Sequence, residues 1–218
     1  FPPETLKEWA ELLEQMEALT KQDLQQIQQS LGQARQSKAQ RREQLQKAIE
    51  QQKKLLKKLR ELQEQMGKSM DQMMARNFVN RLREAARQEG EIKQGLQQIL
   101  ARTVGLPAGK LPKELKEVLA KLTDQHKGIR GEIRNVKEDL LGFFNRTRKQ
   151  KYQDVHEDME KKKVLEELDK LTATIKDNQA VNGMKGADQW ARQFNQWAEM
   201  LEKGDDSQSD QNEGEPRE

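Results

Sequence analysis

Side chains that could do chemistry are sparse in this sequence. His126 and His156 are its two imidazoles, and cysteine is absent. On a helix His156 would face Glu160 one turn later, yet a specific metal needs further ligands. No second histidine or Glu-x-x-His completes such a set, so no metal ligand is assigned. Without cysteine there are no thiolate nucleophiles, Cys-ligated metals or disulfides, whichever redox compartment the chain occupies. No Ser/His/Asp or Cys/His grouping can be assembled, so no catalytic residue, cofactor or enzymatic activity is expected. Gly67-Lys68-Ser69 has the ending of a phosphate-binding loop, but that motif requires a glycine where Leu62 stands and a preceding strand. Gly128-Ile129-Arg130-Gly131 has the form of a GxxG clamp, which works beside a sheet that this sequence does not predict. Asn145-Arg146-Thr147 is a glycosylation sequon only in a eukaryotic secretory setting.

Binding chemistry is better represented. Ten Lys or Arg and two acids, Glu43 and Glu50, lie between Gln33 and Arg60. In a heptad reading, Lys47, Lys53, Lys54, Lys57 and Arg60 take outward positions, forming a face able to contact nucleic acid or lipid headgroups. No aromatics are interleaved with these cations, which counts against single-stranded nucleic acid. Near the other end, Trp190, Phe194, Trp197 and Leu201 recur at spacings of four, three and four, a candidate docking stripe on one side of a short helix. That stripe is expected to pack back onto the body of the protein, with a protein partner and then a membrane interface as alternatives. Eight acids against Lys203 and Arg217 fill the stretch from Glu199 to Glu218.

The elements that must position these residues are helical. From Leu24 to Met73 apolar and small residues recur in unbroken three-four spacing: Leu24, Ile27, Leu31, Ala34, then Leu45, Ala48, Leu55, Leu59, Leu62 and Met66. This predicts one long helix of about 75 Å. Lys38, Arg41 and Gln52 fall in the seam and predict a loosely packed or solvated end. Ile49, Leu56 and Met70 widen the stripe, and flanking positions are almost uncharged, so the chain's own later helices are expected to sheath it, not a dedicated parallel dimer. After Met73 the phase slips, which predicts a turn or kink near 67–77.

Hydrophobic residues make up 33% and charged residues 35%, more surface and less core than a globular domain carries. With few β-branched residues, the reading is an all-α, elongated coiled-coil or helical-hairpin bundle. The divisions are 1–102 as a long helical arm, 103–112 as a breaker loop (TVGLPAGKLP), 113–178 as a helical hairpin, 179–186 as a loop, 187–203 as a short aromatic helix and 204–218 as a disordered acidic tail. No apolar run is long enough to span a membrane. The opening Phe1-Pro2-Pro3 lacks an initiator Met, and a processed form or a piece of something longer is expected.

At NFVNRLREAA (77–86), GLPAGKLPKEL (105–115), Tyr152–Asp158 and the closing WARQFNQWAEML, the sequence resembles the C-terminal regions of large, Gln/Glu-rich, membrane-anchored bacterial proteins of unknown function. The likeness covers about 77–201. It implies an extracytoplasmic or membrane-tethered helical segment, with any tether lying outside this sequence, and brings no catalytic residue. The functional expectation is a non-catalytic scaffold, spacer or protein-docking segment, whose partner is another protein or its own copy. The alternatives are an anionic-surface binder acting through 35–60, and a helical holdase.

Overall fold

A computed structural model describes residues 3–36 and 38–203, and every element among them is helical. The helices are α1 (Pro3–Ala18), α2 (Leu24–Gln36), α3 (Arg41–Thr103), α4 (Lys113–Thr147), α5 (Gln150–Lys161), α6 (Val164–Lys176) and α7 (Ala180–Lys203). A π-helical turn, Leu19–Asp23, joins α1 to α2 without a break, and a 3-10 turn, Ala108–Lys110, lies in the loop before α4. The acidic tail expected over 204–218 lies outside the described residues. The chain divides into two compact units, one ending at Met74 and one beginning at Ala75.

The first unit corrects the reading of 24–73 as one helix. A turn at 38–40 separates α2 from α3 and folds them into an antiparallel hairpin. Ser30 Oγ donates to Gln51 Oε1 at 3.0 Å, and Lys58 Nζ donates to Asp23 Oδ2 at 2.8 Å. Both pairs have numbers summing to 81, which fixes the register. Lys38 and Arg41 therefore belong to the tip and not to a weak stretch of seam; Arg41 Nε donates to the Ala34 carbonyl at 3.3 Å, satisfying a helix-end acceptor. The inner seam is built from Leu19, Ile27, Ser30 and Ala34 on one arm and Ala48 and Leu62 on the other, all buried. Small residues at the tip let the two backbones approach.

No break in the helix occurs at 67–77, which lies within α3. The phase slip there instead marks the border between units, where the buried face of α3 changes. The second unit is a bundle of the end of α3 with α4 to α7. Its α3 stripe is Phe78, Leu82, Ala85, Glu89, Ile92, Leu96 and Ile99, and the α4 stripe is Leu115, Leu119, Leu122, His126, Ile129, Ile133, Val136, Leu140 and Phe143, all buried. Leu119, and not its half-exposed neighbour Val118, carries the α4 seam. Residues 75–102 thus belong to this bundle and not to an arm spanning 1–102.

The stretch 113–178 is three helices and not a two-helix hairpin. Left-handed residues end two of them, Arg148 (φ 59°) after α4 and Asn178 (φ 59°) after α6, while Lys163 (φ 48°) precedes α6. Asn tolerates this conformation through its short polar side chain, and Asn178 Nδ2 donates to the carbonyls of Thr103 (2.9 Å) and Leu106 (2.7 Å), pinning the α3–α4 loop. The loop expected at 179–186 is the first two turns of α7. Its glycines serve close packing: a Cβ on Gly186 would meet Leu171 Cδ1 at 2.6 Å, and one on Gly183 would meet Leu96 Cδ1 at 3.0 Å.

Candidate docking surface

The second unit converts most sequence candidates into core. Trp190, Phe194, Trp197 and Leu201 are buried, at 8%, 0%, 0% and 2% exposure, so this stripe is interior and presents nothing to a partner. The rings of Trp190 and Phe194 stack at 5.7 Å, and Trp197 Nε1 donates to Asp158 Oδ2 at 2.7 Å. Burial pushes the Asp158 carboxyl up, but hydrogen bonds from Lys162 and Trp197 outweigh it and hold the group below the usual range.

His156 Nε2 stands 4.0 Å from Glu160 Oε1, and Lys137 holds the same oxygen at 2.6 Å. Among the described residues no group of three acid, imidazole or thiol side chains could hold a metal ion. Gly67-Lys68-Ser69 lies inside α3, and Gly128-Ile129-Arg130-Gly131 inside α4, so neither forms a phosphate or nucleic-acid clamp. A groove of about 440 Å³ between α6 and α7 carries Glu167, which is already bridged to Lys170 at 2.6 Å.

One buried polar cluster escaped the sequence reading. Glu89 on α3 and His126 on α4 are both fully buried, with His126 Nε2 3.1 Å from Glu89 Oε1. His126 Nδ1 lies 2.8 Å from Thr172 Oγ1, whose hydroxyl donates to the Leu168 carbonyl at 2.9 Å. That hydroxyl has a single proton, so Nδ1 is the donor to Thr172 and Nε2 meets Glu89. Burial pushes the Glu89 carboxyl up, a shift only partly opposed by His126. Neither Glu89 oxygen has an aligned donor. The signal was present: both residues fill the gaps at 89 and 126 in otherwise apolar stripes. Sealed from solvent, the pair cannot meet a substrate, and it acts as a polar layer within the bundle.

The first unit shows the opposite pattern. Lys47, Lys53, Lys54, Lys57 and Arg60 are all exposed on the outside of α3, where Lys57 reaches Glu61 at 3.7 Å. More unusual is a set of large apolar side chains left in solvent. On α1 and α2 these are Leu13, Met16, Leu24 and Leu31; on α3 they are Leu45, Ile49, Leu56, Leu59, Met66 and Met70, with exposures from 37% to 62%. Ile49, Leu56 and Met70, expected beneath later helices, are about half exposed (51%, 54% and 48%).

These residues form one face. At 3.6 residues per turn, Leu24 and Leu31 lie about 80° around α2 from the seam residues Ile27, Ser30 and Ala34. The same offset, in the same sense, separates Ile49, Leu56 and Met70 from Ala48 and Leu62 on α3. Because the arms are antiparallel, equal offsets bring both stripes to the same side of the hairpin. Within the α3 stripe the remaining positions are Gln52 and Gln63, so it carries no charge between Leu45 and Met70. An uncharged apolar face rimmed by charge has the anatomy of an interface core. No helix among the described residues is long and apolar enough to cross a membrane. Compared with known protein families, curated proteins and solved structures, the chain matches none.

Proposed function

We propose that this chain is a non-catalytic helical docking module: the bundle beginning at Ala75 is its folded body, and the apolar side of the N-terminal hairpin is its working surface. The observation that carries this reading is the uncharged face of Leu45, Ile49, Leu56, Leu59, Met66 and Met70 on α3 beside Leu24 and Leu31 on α2. Leaving that much apolar area in water opposes folding of the hairpin, and covering it favours association by the same hydrophobic driving force. The resemblance seen over 77–201 would set the module within a larger, envelope-associated bacterial protein.

A pair of full-length variants tests it. Leu56→Glu places a charge in the face; Lys54→Glu changes charge on the far side of the same helix. Leu56→Glu should abolish assembly, or binding of an environment-sensitive dye such as ANS where the face is open, while Lys54→Glu leaves both unchanged. Near-ultraviolet circular dichroism of the tryptophan-bearing bundle should be the same in both variants. Equal behaviour of the two variants in assembly and dye binding refutes the reading.

The exposed cations support a second reading, anionic-surface binding through Lys47, Lys53, Lys54, Lys57 and Arg60. At about 0.15 M salt, where the Debye length is about 8 Å, that reading requires residual binding to duplex DNA or anionic vesicles that Lys53→Glu with Lys57→Glu removes.

A further inference from the structure

We infer that the occupant of the apolar face is a second copy of the same hairpin, packed face to face with its tip over the other's base to make an antiparallel four-helix bundle. This rests on the docking reading and names the partner.

Three observations converge on it. The first is the self-complementarity of the α3 stripe. Its positions 45, 49, 52, 56, 59, 63, 66 and 70 have spacings that read the same in both directions. Laying α3 antiparallel on α3 of a second copy, so that residue numbers sum to 115, pairs Leu56 with Leu59, Ile49 with Met66 and Leu45 with Met70. The two polar positions then meet each other: Gln52 faces Gln63 of the second copy, and an amide that accepts and donates can satisfy its like. Sliding this antiparallel pair by one or two heptads in either direction sets a glutamine against an apolar side chain, at the cost of an unpaired polar group.

The second is that the other arm agrees. The hairpin register, with paired numbers summing to 81, converts the α3 two-fold into a sum of 47 on α1 and α2. That pairs Met16 with Leu31 and places Leu24 within one residue of its own copy on the axis. A two-fold read from α3 alone thus brings apolar to apolar on the arm that was not used to find it. This is what an isologous interface requires.

The third is charge and area. Residues 33–54, around the tip, carry seven Lys or Arg and two acids, whereas 7–23 with 58–74, at the base, carry five Lys or Arg and eight acids. Packing tip over base sets net positive against net negative at both ends, and packing tip on tip would set like on like. Lys53 and Arg60 of the second copy come near one another at the rim, where solvent screening keeps that repulsion small. Ten large side chains about half exposed supply on the order of 800 Å² from each copy, the share a standard interface takes from a partner.

The natural absence of cysteine makes the test clean. Two full-length chains with different mass tags, one Gln52→Cys and one Gln63→Cys, are mixed and oxidised. The inference expects a mixed disulfide between the tags at least 10-fold faster than either chain joins to itself, because like positions sit eleven residues apart along the antiparallel axis. It also expects a dimer mass for the native chain by sedimentation at micromolar concentration, with Leu56→Glu weakening dimerisation about 100-fold or more, since each dimer gains two buried charges. Self-joining as fast as mixing overturns the antiparallel register. A monomer up to about 100 μM overturns the second copy as occupant. Such a monomer that binds ANS, and loses it with Leu56→Glu, leaves the docking reading standing; one that binds none removes both.

Discussion

Replacing Glu89 by Gln should stabilise the protein, and increasingly so as pH rises. Glu89 is fully buried and its carboxyl is raised by that burial, with His126 Nε2 at 3.1 Å as its neighbour. A carboxyl whose folded pKa lies above its unfolded one favours folding fully below the unfolded value, near pH 4.3 to 4.5, and loses that contribution as pH rises toward the folded value. Through that window the folded chain keeps a proton that the unfolded chain has released. Stability therefore falls by about 1.4 kcal/mol for each pH unit. Glutamine has the same shape, cannot ionise, and can direct its amide N–H at Nε2, the acceptor nitrogen of the neutral tautomer whose Nδ1–H donates to Thr172. The stability difference between Glu89→Gln and the native chain should then grow from near zero at pH 4.5 with that slope, and level off once the folded native chain ionises. Urea unfolding from pH 4.5 to 8, followed by circular dichroism, measures it. A difference that stays constant within about 0.5 kcal/mol between pH 5 and 7 would show that Glu89 ionises as readily in the folded chain as in the unfolded one, refuting the sealed polar layer.

Two further outcomes follow from packing. A Cβ on Gly90 would have nothing within 4 Å, whereas one on Gly186 would press on Leu171 at 2.6 Å; Gly90→Ala should stabilise by about 1 kcal/mol and Gly186→Val should destabilise by about 2 kcal/mol or more in thermal melts. With Trp9→Phe removing the half-exposed indole of the hairpin, emission from Trp190 and Trp197 should be blue-shifted and poorly quenched by iodide, and Trp197→Phe should cost about 3 kcal/mol through lost volume and the lost hydrogen bond to Asp158. Red-shifted, freely quenched emission would contradict the burial of the α7 stripe.

Local physics wrote much of this protein into its sequence. Helical periodicity, the shortage of β-branched residues and the proline-glycine cluster at 103–112 specify an all-α chain and one of its main breaks, because each acts within a turn or two of itself. The outward placement of Lys47, Lys53, Lys54, Lys57 and Arg60 was legible for the same reason. What tertiary structure decided was where long helices stop and which stripe is covered. The tip at 38–40 leaves no gap in the three-four pattern, since a turn replaces about one helical turn and keeps the phase; only Lys38 and Arg41 in the seam hinted at it, and they fit a solvated rod equally well. Gly183 and Gly186 read locally as a loop, yet they sit in α7 because Leu96 and Leu171 approach too closely for a Cβ. Glu89 and His126 each looked like a gap in an apolar stripe, and only the packing of α3 on α4 brought one gap to the other. The widened stripe of Ile49, Leu56 and Met70 reads as a face covered by the chain's own later helices, yet in the structure these side chains are about half exposed. Whether a stripe is covered by the rest of the chain is set by how distant segments pack, and the periodicity of one segment does not record that packing.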